Sequence, residues 1–236
     1  MIKLIKSEER GISKTDWLLS YHSFSFNNFY NPDMVHFGPI RVLNDDYVKA
    51  GGGFPTHPHK NMEIITYVLK GALQHKDSTG TNEVIYADEF QKMSAGSGIY
   101  HSEFNPSNSE DVHLLQIWIF PKTKDLNPTY DKLNLSSGFE KNKLIKVADN
   151  SKNENLIYVD QDIEVYIAKF DVSKIIEVDA SNSGFYLFNI NGTTMVNNNE
   201  LTEGDAVLLT NEEAVSIETS ISSHFILFKF PIQKAD

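Results

Sequence analysis

The stretch Gly51-Gly52-Gly53-Phe54-Pro55-Thr56-His57-Pro58-His59-Lys60-Asn61-Met62-Glu63 decides how this chain is read. His57 and His59 are two residues apart, so on an extended backbone both imidazoles project to the same side. Pro58 fixes its own φ and biases His57 towards the β region, which favours that extended form. The glycines suit a tight loop that delivers the pair to the mouth of a barrel. Glycine runs also cradle phosphates, but no Gly-Lys-Ser/Thr follows here, which excludes that use.

A second segment repeats the pattern: Met93-Ser94-Ala95-Gly96-Ser97-Gly98-Ile99-Tyr100-His101-Ser102-Glu103-Phe104-Asn105. His101 and Glu103 are again two apart and share one side of a strand. Brought together by a β-barrel, the two pairs offer three imidazoles and one carboxylate. That set suits a divalent first-row metal with positions left open for substrate, oxygen or water. The chain has no cysteine, whereas structural zinc sites are closed and usually contain it, so the set points to an open, reactive centre. Iron(II), manganese, nickel, copper and zinc all meet this description, and the residues alone do not choose among them.

Outward from these segments, strand signals recur with turns at short spacing, as in a sandwich or barrel. Candidate strands fall at 38–44, 63–69, 72–75, 83–87, 90–94 and 113–120. In the last, Leu114, Gln116, Trp118 and Phe120 share one face and Leu115, Ile117 and Ile119 the other, as expected for a strand between two sheets. Residues 121–155 are polar and read as a crossover with one short helix. Strands then resume at 157–159, 164–171, 185–190, 193–196, 206–209, 214–218 and 224–230. Asn191-Gly192 predicts a two-residue hairpin, and Glu203-Gly204-Asp205 another turn. The two halves share a rhythm, which predicts two similar β-domains in tandem.

Of 236 residues 32 are acidic and 21 basic, a net charge of -11, and only Arg10 and Arg41 are arginines. Residues 1–133 hold 13 basic and 16 acidic residues, a net of -3, and residues 134–236 hold 8 and 16, a net of -8. Phosphate backbones select arginine and lysine patches, so direct nucleic-acid binding is not expected. A basic stripe for anionic membrane is missing, and no apolar run approaches the ~20 residues of a membrane span. Charges interrupt the N-terminal MIKLIKSEERG, which does not read as a signal peptide. A cytoplasmic protein is the expectation. Seven of the eight histidines lie before residue 120.

The motifs resemble a known family. Gly51 with His57-x-His59, Glu63 and Gly71 resembles the first cupin motif, and Gly98-x-x-His101-x-x-x-Asn105 the second. The extra residue between Glu63 and Gly71 is shared with the pirin branch of the cupins. Tyr21-His22-Ser23-Phe24-Ser25-Phe26, Phe37-Gly38-Pro39-Ile40-Arg41-Val42-Leu43-Asn44-Asp45-Asp46 and Leu115-Gln116-Ile117-Trp118-Ile119 are similar to bacterial pirin-like proteins with quercetin 2,3-dioxygenase activity. The resemblance is dense to about residue 135 and thereafter mainly one of strand rhythm.

That resemblance implies an all-β bicupin of two tandem jelly-roll-like barrels. Residues 1–133 would form the metal-binding domain and residues 134–236 a cupin domain without a metal site. It implies His57, His59, His101 and Glu103 as metal ligands, with Glu103 also the catalytic base. The typical cupin uses the glutamate of the first motif, here Glu63, so that carboxylate stays the alternative. The implied cofactor is one divalent transition metal, iron(II) first, with zinc, copper, nickel, manganese or cobalt as alternatives. The implied reaction is oxidative ring opening of a flavonol or similar planar phenol with O2. The alternative function is a non-enzymatic, metal- or redox-dependent regulator with a protein partner, such as a transcription factor or metabolic enzyme. His22, His36, His75 and His113 read as structural or surface residues, any of which could orient a ligand, and His224 as structural. Phe24, Phe26, Phe29 and Tyr30 read as core or interdomain packing in preference to a stacking wall.

Overall fold

Apolar–polar alternation runs through the chain, and in the computed structural model it becomes strands almost throughout. Residues 1–136, 138–219 and 222–232 are described. The first strands are β1 (Ile2–Ile5), β2 (Gly11–Lys14), β3 (Leu18–His22), β4 (Ile40–Val48), β5 (Gly53–His59) and β6 (Glu63–Lys70). Then come β7 (Ala72–Asp77), β8 (Asn82–Tyr86), β9 (Glu89–Ser94), β10 (Ile99–Phe104), β11 (Val112–Ile119) and β12 (Thr129–Asn134). The remainder are β13 (Ile145–Asp149), β14 (Ile157–Tyr158), β15 (Glu164–Phe170), β16 (Lys174–Asp179), β17 (Ser183–Asn191), β18 (Thr194–Val196), β19 (Asn199–Leu201), β20 (Ala206–Thr210), β21 (Ala214–Thr219) and β22 (Ser223–Pro231). Helical structure among the described residues is limited to two single 3-10 turns, Ser7–Glu9 and Pro32–Met34.

The chain divides into two compact units, Gly11–Phe139 with Ile157–Gln161, and Met1–Arg10 with Glu140–Leu156 and the chain from Asp162 onward. Each is a cupin barrel. The first, the N-terminal barrel, packs a seven-stranded sheet, β12-β9-β6-β11-β4-β3-β2, against a four-stranded one, β5-β10-β7-β8. The pleat sends alternate residues to opposite faces. The inner face thus receives Val48, Val68 and Leu114 in one buried apolar cluster with Leu73 and Ile85, and Ile64 and Met93 in a second with Ala95 and Ile99. The polar members of the same rows, Asn44, Asp46, Thr66, Gln91 and Gln116, are also buried, and they build the site described below. On the opposite face Tyr67 stacks on Phe90 with centroids 4.2 Å apart.

The C-terminal barrel carries the run β1-β20-β17-β22-β15-β13 in one sheet and β16-β21-β18-β19 in the other. Its core is built on Phe170, Phe185, Leu187, Val207, Ile217 and Leu227. Full burial of such side chains contributes ~1.5–3 kcal/mol each. The N-terminal strand belongs here: β1 pairs antiparallel with β20, from Ile2 opposite Leu209 to Ile5 opposite Ala206.

Two local expectations are corrected. The stretch read as a crossover with a helix instead forms β12, paired with β9 from Thr129–Ser94 to Asn134–Glu89, and β13, paired with β15. The polarity of β12 reflects an edge position, since β12 ends its sheet and its residues are all exposed or half-buried. Ser137, within that stretch, lies outside the described residues. The turn at Asn191-Gly192 exists, with Gly192 at φ +71°, but it does not close a hairpin. β17 pairs with β20 and β22, while β18 pairs with β19 and β21 in the other sheet. A Cβ at Gly192 would lie 2.1 Å from the Ser222 carbonyl oxygen, so the chain needs glycine to turn this tight corner between sheets.

Candidate metal centre

The four-stranded sheet of the N-terminal barrel gathers the histidines. β5 and β10 are neighbours, with His57 opposite His101 and His59 opposite Ile99. A register shift between His101 and Glu103 then sets Glu103 opposite Phe54. On the other side of β10, Asp77 lies opposite His101 and His75 opposite Glu103. Ile99, His101 and Glu103 are buried while Tyr100 and Phe104 are exposed, so the strand's period of two sends the ligand candidates inward. Gly53 permits this approach: a Cβ there would lie 2.4 Å from the Glu103 carbonyl oxygen and 2.6 Å from Phe104 Cα.

One ring nitrogen from each of His57, His59 and His101 lies within 4.8 Å of the others. The Nε2 atoms of His101 and His57 are 3.1 Å apart. His57 Nδ1–H donates to the Pro55 carbonyl at 2.8 Å, which fixes the tautomer and leaves the Nε2 lone pair free to face the group. Burial, then charge on His57, lowers His59 to about 4. Burial, then the neighbouring imidazoles His57, His59 and His75, lowers His101 to about 2. Both rings are therefore neutral at neutral pH, the state that binds a metal. His101 Nδ1 is buried with no hydrogen-bond partner. Converging, unprotonated imidazole nitrogens fit a borderline divalent ion.

Glu103 falls in a second group of potential ligands, with His101 and His75, that shares His101 with the first. Its side chain crosses the barrel interior to the seven-stranded sheet. There Gln91 Nε2 donates to Oε1 at 2.7 Å, Thr66 Oγ1 to the same oxygen at 3.4 Å, and Gln116 Nε2 to Oε2 at 2.7 Å. Burial raises the Glu103 carboxyl above its ordinary value, partly opposed by His75, His57 and the hydrogen bonds from Gln116 and Thr66. Glu63 is elsewhere. It precedes Thr66 by three positions on β6, an odd number, so it faces the opposite side of the sheet. There Ser94 Oγ donates to it at 2.7 Å and the fully buried Lys92 lies 3.6 Å away.

Of the four expected residues, His57, His59 and His101 converge as one group, whereas Glu103 is grouped with His101 and His75 and not with His57 and His59. His75, expected to be a structural or surface residue able to orient a ligand, is fully buried beside Glu103, with Nε2 3.0 Å from Asp77 Oδ2. The signal available was its own i, i+2 partner, Asp77. His22, 1% exposed, bonds Asn44 Oδ1 at 2.8 Å and Ser13 at 2.7 Å. His113 stacks on Tyr47 with centroids 4.0 Å apart, and exposed His36 bonds the Gly38 carbonyl at 3.0 Å. In the C-terminal barrel His224 sits on β22 opposite Lys169.

A cavity of about 350 Å³ opens beside the group, bordered by His57, His59 and Glu103, a size that suits a small organic ligand. Leu18, Phe26, Phe54 and Trp118 supply apolar walls, and Asn44, Asp46 and Gln116 supply polar ones. Phe26 meets Trp118 edge-on at 5.5 Å, and Trp118 meets His59 at 4.8 Å. Phe26 is therefore a cavity wall, whereas Phe24 is buried at 1% exposure and Tyr30 is 74% exposed. Asp46 is raised to about 7, chiefly by burial, with Asp45 and Glu103 adding to a shift that the Ser20 hydrogen bond opposes.

Comparison with known proteins agrees with this architecture. Residues 5–119 match the family described as Pirin, and residues 147–230 match the Quercetinase C-terminal cupin domain. The chain is 39% identical to quercetin 2,3-dioxygenase of Escherichia coli K12 over 232 residues, covering 98% of this chain and 99% of that protein. It superimposes on the crystal structure of a bacterial pirin of Escherichia coli in complex with nickel(II), with a TM-score of 0.93, 38% identity and coverage of 99% and 100%. A quercetin 2,3-dioxygenase from Acinetobacter baumannii, 17% identical, shares the fold with a TM-score of 0.75 over 99% of this chain and 80% of that one.

Proposed function

The chain belongs to the pirin family, and on that premise we propose that it is a metal-dependent dioxygenase of the quercetin 2,3-dioxygenase type. Its substrate is a flavonol or similar planar phenol, opened oxidatively with O2. His57, His59, His101 and Glu103 are the metal ligands, and Glu103 is also the base. Iron(II) is the metal proposed first, and the nickel-bound pirin makes nickel the first alternative. The observation that carries the reading is the 3.1 Å approach of the His57 and His101 Nε2 atoms at the edge of an aromatic-walled cavity.

A divalent metal held there supplies a Lewis acid that lowers the pKa of a phenolic hydroxyl brought to it. The rest is the work of the chain. The hydrogen bond to Pro55 holds His57 with its Nε2 towards the centre. Phe26, Phe54 and Trp118 flank a flat ring and exclude water from it, and such placement lowers the entropic part of a barrier. Glu103, raised by burial, takes the hydroxyl proton as general base. Its Oε1 accepts from both Gln91 and Thr66, whereas Oε2 accepts from Gln116 and retains a lone pair for a proton or a metal.

The test is an oxygen-electrode assay with quercetin and protein reconstituted separately with iron(II) and nickel(II). Oxygen uptake matching quercetin loss is expected, and His57→Ala is expected to abolish it together with metal retention. Metal-replete protein that is inert towards flavonols would overturn the assignment, and oxidation-dependent capture of a protein partner would then favour the regulator.

A further inference from the structure

The carboxylate of Glu103 is supplied by β10 of one sheet but gripped by residues of the other. Gln91, on β9, and Gln116, on β11, each turn an NH2 group towards one of its oxygens, both at 2.7 Å. A carboxamide can rotate by 180° and present its oxygen instead, so something must fix which end faces Glu103. In Gln116 that is Trp118, whose Nε1–H donates to Gln116 Oε1 at 3.2 Å. Indole N–H is a donor only, which commits Oε1 to it and Nε2 to Glu103. In Gln91 the partner is Tyr130, whose hydroxyl donates to Gln91 Oε1 at 3.1 Å. Gln91 Nε2 also reaches Thr66 Oγ1 at 3.2 Å.

We propose that Trp118 and Tyr130 are positioning residues for Glu103, acting through Gln116 and Gln91. Each holds a carboxamide oxygen so that its NH2 can only donate, and the two amides then fix Glu103 as a hydrogen-bond acceptor in one orientation beside His101. The arrangement is symmetrical in logic: aromatic donor, carboxamide, carboxylate oxygen, once on each side. Trp118 has a second role, since its ring is a wall of the cavity and packs against His59. One side chain thus touches the substrate space, a histidine of the centre and the support of the carboxylate. Partners bonded directly to a ligand, the place Gln116 and Gln91 hold beside Glu103, typically govern about 10–100-fold in metal affinity.

The inference rests on Glu103 being a ligand, as proposed above, and its test does not depend on turnover. Copper(II) is the probe, because it binds tightly to nitrogen and oxygen donors and its electron paramagnetic resonance spectrum reports the ligand field. Trp118→Phe keeps an aromatic wall and removes the N–H, Tyr130→Phe removes the O–H, and Gln116→Leu removes the amide. Gln116→Leu is expected to weaken copper(II) binding by about 10–100-fold in competition with a chelator, Trp118→Phe and Tyr130→Phe to weaken it by less, and each to change the spectrum of the loaded protein. Thermal unfolding of the metal-free variants separates this from a purely structural role, which would lower stability and leave the spectrum unchanged. Wild-type affinity and spectrum in all three variants would overturn the inference while leaving the metal centre standing. Wild-type protein that binds no copper(II) would overturn both.

Discussion

Asp46 is the clearest place to test whether the cavity stores strain in the form of charge. It is 1% exposed, borders the cavity, and its carboxyl is raised from the ordinary 3.8 to about 7. Burial is the largest cause, with the carboxylates of Asp45 and Glu103 adding and Ser20 opposing. The sign follows from the folded state holding its proton more tightly than the unfolded state. Below the unfolded value both states are protonated and nothing is lost. As pH rises through the window from 3.8 to about 7, the unfolded chain ionises first and stability falls. Above that window the loss is complete, ~4 kcal/mol for a shift of ~3 units. Asp46→Asn has nearly the same shape and no charge. In metal-free protein the variant should gain ~3 kcal/mol over wild type between pH 4.5 and pH 8.5. Urea unfolding followed by tryptophan fluorescence reads this out, because both tryptophans, Trp17 and Trp118, lie in the N-terminal barrel. An equal difference between variant and wild type at the two pH values would refute the reasoning.

Glu63→Gln should leave metal affinity unchanged, since Glu63 bonds Ser94 and neighbours Lys92 on the far side of the sheet. It should lower stability by ~1–3 kcal/mol, because Lys92 is fully buried and, among the described residues, retains only Asp131 as a charged partner. Isothermal titration with metal and denaturant unfolding measure the two halves of that statement. In metal-free protein the neutral imidazoles act in the opposite sense to Asp46. His59, lowered to about 4, and His101, lowered to about 2, stay unprotonated while the unfolded chain takes up protons below pH ~6.5. Stability should therefore drop as pH falls through that window, by up to ~1.4 kcal/mol per pH unit for each ring. The drop should be smaller in His59→Ala, and an unchanged slope would contradict it.

How far the site could be read from the chain depended on whether its signal was local. His57, His59, His101 and Glu103 announce themselves because two residues at i and i+2 in a strand share a face whatever the strand pairs with. His75 obeys the same rule with Asp77, but the predicted strand stopped at 75 and hid its partner. Gln91, Gln116 and Thr66 give a weaker trace: a neutral polar residue among apolar neighbours marks an inward position only once the sheet's inner face is known. Glu63 shows parity working in reverse, since its odd separation from Thr66 turns it away from the cavity. Pairings across the chain leave no local mark. Nothing in Ile2–Ile5 indicates β20 as its partner, and β12 reads as a loop because an edge strand tolerates polar residues on the side that faces water. The Asn191-Gly192 turn was found, yet its role as a corner between sheets depends on the distant Ser222.

The proposed centre is a single metal held by three imidazoles and one carboxylate. The most direct measurement is anomalous scattering from a crystal of the reconstituted protein, collected at the absorption edge of the added metal. One peak in the N-terminal barrel, bonded to His57, His59, His101 and Glu103 and adjoining the cavity walled by Phe26 and Trp118, is the predicted result. A peak bound instead by Glu63, or one among His75, His101 and Glu103 without His57 and His59, would contradict it.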